Sequence, residues 1–137
     1  MQFADFFNAG GGLLDTAKIV LFKMLPRGAQ LEKVRAEINR SLLKQYGAIT
    51  RLEIDRPNKI IRADLNLKGE NEPVRITATN YRLSTEPGQN PVFAPGTMEV
   101  SRAWLDAVLK TLVKTGKLPD RLEIKNPLHQ TVVKALL

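Results

Sequence analysis

Apolar and polar residues recur with two different periods along this chain, and the switch between them divides it. Leu13, Leu14, Ala17, Val20, Leu21, Met24 and Leu25 recur at helical spacing, and Pro26 follows them. This predicts a first helix over 13–25. Leu31, Val34, Ile38 and Leu42 form a second stripe ahead of Gly47. The second helix is expected over 29–46, with Gly47 as its C′ residue. From residue 48 the period becomes two. ITRLEID sets Leu52 and Ile54 against Arg51, Glu53 and Asp55. IIRADLNLK sets Ile61, Ala63, Leu65 and Leu67 against Arg62, Asp64, Asn66 and Lys68. VRITATNY sets Val74, Ile76 and Ala78 against Arg75, Thr77 and Thr79. Such alternation marks half-buried antiparallel strands.

The alternation also constrains register. Pairing the first two strands so that partner numbers sum to 115 puts Leu52 opposite Ala63 and Ile54 opposite Ile61. A slip of one residue would set apolar side chains against charged ones. Pro57 cannot enter a primed two-residue turn, so a four-residue loop over 56–59 is expected. For the next hairpin, a sum of 141 pairs Leu67 with Val74 and Leu65 with Ile76, and sets Asn66 opposite Arg75. The apolar parity changes after Ala78, because Tyr81 and Leu83 are odd-numbered. A bulge or the strand end belongs there.

The stretch STEPGQNPVFAPG, with three prolines and two glycines, reads as a loop with at most a short edge strand. A strand over 97–100 leads into a third helix, with Ser101 as its expected N-cap and its end near Lys117. DRLEIK is a further strand. Asn126 and Pro127 open a last helix carrying Leu128, Val132 and Leu136. The order α-α-β-β-β-(β)-α-β-α predicts one α+β domain over 1–137. Its antiparallel meander sheet has four to five strands with helices on one face. Residues 1–12, rich in phenylalanine and glycine, read as a flexible leading segment.

Composition narrows the chemistry. The absence of cysteine removes disulfides, thiolate catalysis and cysteine-ligated zinc. The start MQFADFFN is not a signal peptide and no window resembles a membrane span, so a cytoplasmic protein is expected. The net charge of +7 is uneven: +3 over 1–47, zero over 48–100 and +4 over 101–137. Basic ends favour an anionic partner, though solubility alone also explains them.

No catalytic set emerges. The single histidine, His129, falls in no catalytic or metal-ligand motif recognisable in the sequence. The serines lie outside any nucleophile elbow. Gly10–Gly12 precede a helix but lack the phosphate-loop pattern. The carboxylates of the outer sheet face alternate with arginines, so that face is neither net positive nor aromatic, as RNA stacking would require. An enzyme, a metal and a cofactor are therefore not expected.

Three binding readings remain. The first is an apolar groove for a lipid-like, anionic ligand, between Leu52, Ile54, Ala63, Leu65 and Ile76 on the sheet and Trp104, Val108 and Leu112 on the third helix. The second is assembly of copies through the first helix, using Leu13, Ala17, Ile19, Leu21, Phe22 and Met24. That helix is apolar on nearly every side, because Ile19 and Phe22 project away from its main stripe. Peripheral membrane contact is the weaker variant, since Asp15 offsets Lys18 and Lys23. The third is an anion-binding stripe of Lys110, Lys114, Lys117 and Arg121 serving nucleic acid or acidic lipid.

Overall fold

A computed structural model describes residues 13–137, with side chains from 18 onward. Residues 1–12, with the expected leading segment and the glycine run, lie outside it, as do the side chains of Leu13 and Ala17. Helices α1 (Leu13–Met24) and α2 (Arg27–Ile38) come first, and a π-helical turn (Asn39–Leu43) continues α2. Strands β1 (Gly47–Asp55), β2 (Ile60–Leu67), β3 (Val74–Thr79), β4 (Arg82–Ser84), β5 (Val92–Ala94) and β6 (Thr97–Val100) follow. Helix α3 (Ala103–Lys114), strand β7 (Leu122–Glu123) and helix α4 (Pro127–Leu136) complete an α+β fold. One antiparallel sheet has the order β1-β2-β3-β6, and a second, small one has the order β4-β5-β7. The second sheet gathers the short edge strand and DRLEIK, which the alternation alone left without partners.

The first hairpin carries the expected register from Arg51 onward, with Leu52 opposite Ala63 and Ile54 opposite Ile61. Before it, Ile49 faces Leu65, so Thr50 is bulged out and Ile49 stays on the apolar face. The 56–59 loop is present: Lys59 N–H donates to Arg56 O, and the Asp55 carboxylate accepts from Asn58 N–H. In the second hairpin Leu65 faces Val74 and Ala63 faces Ile76, two residues away from the expected pairing. A two-residue slip keeps every side chain on its face, so apolar alternation does not choose between these registers. Here Asp64 faces Arg75 instead of Asn66, and the two form an ion pair at 2.7 Å. Strand β3 ends at Thr79, and Asn80 turns the chain with φ 60°.

Three capping expectations resolve differently. Gly47 opens β1 instead of closing a helix. Its φ is +149°, and a Cβ there would lie 2.0 Å from Asn66 O. Ser101 extends the β3–β6 ladder: its hydroxyl accepts from Arg75 N–H at 2.8 Å, and its own N–H donates to Arg75 O. Helix α3 accordingly starts after Arg102, with no side-chain cap. It stops at Lys114, where Gly116 adopts φ +76° and Lys117 N–H returns to Leu112 O. Asn126 does cap α4, its side-chain oxygen accepting from Leu128 N–H and His129 N–H.

Helix α4 is the hub of the core. It packs against α1 and α2. Leu122, Ile124 and Val133 form a buried cluster flanked by Leu83, Phe93 and Leu137, which joins α4 to the small sheet. Burying side chains as large as Ile124 and Leu136, both almost fully enclosed, contributes about 1.5–3 kcal/mol each. The carbonyls at its C-terminal end are satisfied from three separate segments. Arg27 donates to Ala135 O and Leu136 O, Lys59 to Leu137 O, and the Tyr81 hydroxyl to Leu137 O at 3.0 Å. Cationic donors at a helix C-terminus also answer its dipole. Through the same guanidinium, Arg27 reaches Ile54 O and ties the helices to β1.

Candidate functional site

Among its described side chains, helix α1 buries the side opposite Val20, Leu21 and Met24. Phe22, expected to spoil the core face, is the buried residue at 6% exposure, with Ile19 half-buried beside it. Leu21 at 62%, Met24 at 75% and Val20 face solvent. The inward side is secured where α1 ends: buried Gln30 donates through Nε2 to Phe22 O at 3.0 Å. Of the expected interface residues, Leu21 and Met24 are thus presented outward, while Phe22 is spent on the core. A monomeric domain normally covers residues of this size, and a cluster of them on one helix marks a contact surface.

Helix α3 carries the second apolar surface. Its main packing partner is β6. Trp104, 59% exposed, holds its indole N–H on Glu70 Oε1 at 3.0 Å. Glu70 also pairs with Arg102, so the β2–β3 loop is tied to the start of α3. An open concavity of about 240 Å³ is lined by Ala107, Val108, Thr111 and Leu112. Val108 and Leu112 of the expected ligand set line it. The sheet residues Leu52, Ile54, Ala63, Leu65 and Ile76 do not, and Leu65 is buried in the core.

The expected cationic stripe is divided. Lys110 is held by Asp106 at 2.7 Å, and each raises or lowers the other in the usual sense. The ion pair lifts the lysine above its ordinary pKa and holds the aspartate below its own. Asp106 is further engaged by Val100 N–H. Lys114, Lys117 and Arg121 are exposed and form no ion pair among the described residues.

A third feature was not visible in the sequence. Lys59, Asn80, Tyr81, Arg82, Leu83 and Ser84 line a polar concavity of about 530 Å³. It forms where the β1–β2 and β3–β4 turns meet, and Tyr81 N–H donates to Lys59 O across them. Burial pushes the Tyr81 phenol above its ordinary pKa, against the opposing effect of Arg56 and Arg27. The change of parity after Ala78 was the only local sign of this turn.

Among the described residues, no helix is long and apolar enough to cross a membrane. No known family model, curated protein or solved structure matches the chain.

Proposed function

We propose that this chain is a non-catalytic assembly module that associates with a second copy through the outer face of α1. The observation that carries this reading is the exposure of Val20, Leu21 and Met24 on a helix whose opposite side is anchored in the core by Phe22. Positions 20 and 24, and 21 and 24, are neighbours on a helix surface. Packed against the same face of another copy, they form an isologous two-fold contact with leucine and methionine at its centre. Lys18 and Lys23 are exposed on the same helix, and at the rim of such a contact their like charges repel. Added salt is therefore expected to strengthen association by screening that repulsion.

Native mass spectrometry and light scattering test this reading. The wild-type mass should rise with concentration through the micromolar range. Leu21→Glu should remain monomeric, and should match the wild-type unfolding temperature at concentrations where wild type is itself monomeric, because Leu21 contributes little to the monomer core. A wild-type protein that stays monomeric throughout, or a Leu21→Glu variant that associates as well as wild type, refutes it.

A second reading rests on α3. The apolar concavity beside Val108 and Leu112, with Trp104 exposed on the same helix, supports an apolar or lipid-like ligand held there. The same spectra distinguish it: a monomer carrying added mass that organic extraction removes favours this reading over assembly.

A further inference from the structure

The concavity between the β1–β2 and β3–β4 turns combines fixed geometry with basic side chains. Its floor is Tyr81, which is almost fully buried and anchored by its hydroxyl to Leu137 O. Lys59, at φ 56°, and Asn80, at φ 60°, are the non-glycine residues with left-handed backbone among those described, and both line this space. Such conformations persist only where the surroundings impose them. The two turns are also bonded to each other, so the rim is set by the fold.

The charged side chains that line it, Lys59 and Arg82, are basic. Arg82 is exposed and forms no ion pair among the described residues. The Lys59 amine makes one long contact, 3.4 Å to Leu137 O, and lies 5.4 Å from the centroid of the Tyr81 ring. Arg56, on the same turn as Lys59, acts electrostatically on the Tyr81 phenol. Asp55 bears on that phenol too, but its carboxylate is engaged by the Asn58 side chain at 2.8 Å and by Asn58 N–H. An arginine fork and a lysine ammonium are the donor types that suit a doubly charged phosphate. A space of this size falls within the range of small-molecule sites.

We propose that this concavity binds the phosphate group of a small ligand, with Arg82 and Lys59 supplying the charge and Asn80 and Ser84 further hydrogen bonds. The phosphate belongs either to a soluble molecule or to a phospholipid head group. The site does not depend on association through α1.

Titration with pyrophosphate, followed by amide chemical shifts of the 15N-labelled full chain, tests the proposal. Saturable shifts centred on residue 59 and residues 80–84 are expected. Arg82→Ala should weaken them about tenfold or more, as loss of a charged hydrogen bond does. Lys33→Ala, an exposed lysine on α2, should leave them unchanged. Both variants change exposed side chains, and matching wild-type spectra without ligand verify their folds. The proposal fails if no saturable shift occurs, if shifts spread evenly over basic residues, or if Arg82→Ala behaves as Lys33→Ala does. Sedimentation with vesicles of phosphatidic acid in phosphatidylcholine separates the sources. Saturable pyrophosphate binding with capture that Arg82→Ala abolishes assigns a head group. The same binding without capture assigns a soluble ligand. Capture without saturable pyrophosphate shifts overturns the site.

Discussion

Asp64 faces Arg75 across the central hairpin. Hydrophobic alternation treats the 141 and 139 pairings as equals, and the ion pair with Arg75 belongs to the 139 pairing alone. The Arg75 guanidinium, through its hydrogen bond, holds the Asp64 carboxyl below its ordinary value of 3.8. A carboxyl depressed on folding adds stability above its unfolded pKa and loses it as the pH falls through the folded one. Asp64→Asn is therefore expected to lower the urea midpoint at neutral pH. Its deficit against wild type should shrink as the pH falls below 3.8, where the aspartate of the unfolded chain protonates first, and vanish once the pH passes the depressed native value. A deficit that stays constant down to strongly acidic pH would show that the charge is not its source. Gly47 marks the same limit of sequence reading. A glycine after a helical stripe suits a C′ position, but only the position of Asn66 O shows that a side chain is forbidden here for another reason.

At the scale of elements, the clearest device is the free edge of β1. Asn39, at the start of the π-helical turn, accepts from Ile49 N–H at 2.6 Å and donates through Nδ2 to Ile49 O at 3.0 Å. Its carboxamide takes the place of a neighbouring strand's peptide group, and Arg35 adds a second donor to the same carbonyl. Open strand edges recruit other strands, and covering them prevents it. Asn39→Ala is expected to lower stability by about 1–3 kcal/mol, since it leaves the part-buried Ile49 N–H without its partner. It should also speed thioflavin-positive aggregation on mild heating. Aggregation no faster than wild type would mean that Arg35, Arg27 and the packing of α2 protect the edge without Asn39. Elements with a strong period were legible in the sequence: the long strands, the 56–59 loop and the Asn126 cap. The orientation of α1 was not, because Ile19 and Phe22 on one side balance Val20, Leu21 and Met24 on the other. Periodicity locates two apolar faces without ranking them.

For the whole molecule, the order of helices and strands and the α+β class followed from the change of period. The small sheet did not, because β4, β5 and β7 span two or three residues each and β7 joins β5 from beyond α3. The candidate site was less legible still. The expected groove drew together residues that the fold uses separately, whereas the Lys59–Arg82 concavity arises only from the meeting of two turns. The Arg27 contact with Leu136, 109 positions along the chain, carries a consequence in time. Nearly the whole polypeptide must be gathered before that guanidinium finds its carbonyls, and closing so long a loop is entropically unfavourable. Folding dominated by such distant contacts is slow, so stopped-flow refolding is expected to take about milliseconds to seconds. Microsecond refolding would mean that this closure does not limit the rate. In that interval α4 is still unplaced and Tyr81 uncovered, so the chain should be most vulnerable to proteases and aggregation just before this helix docks.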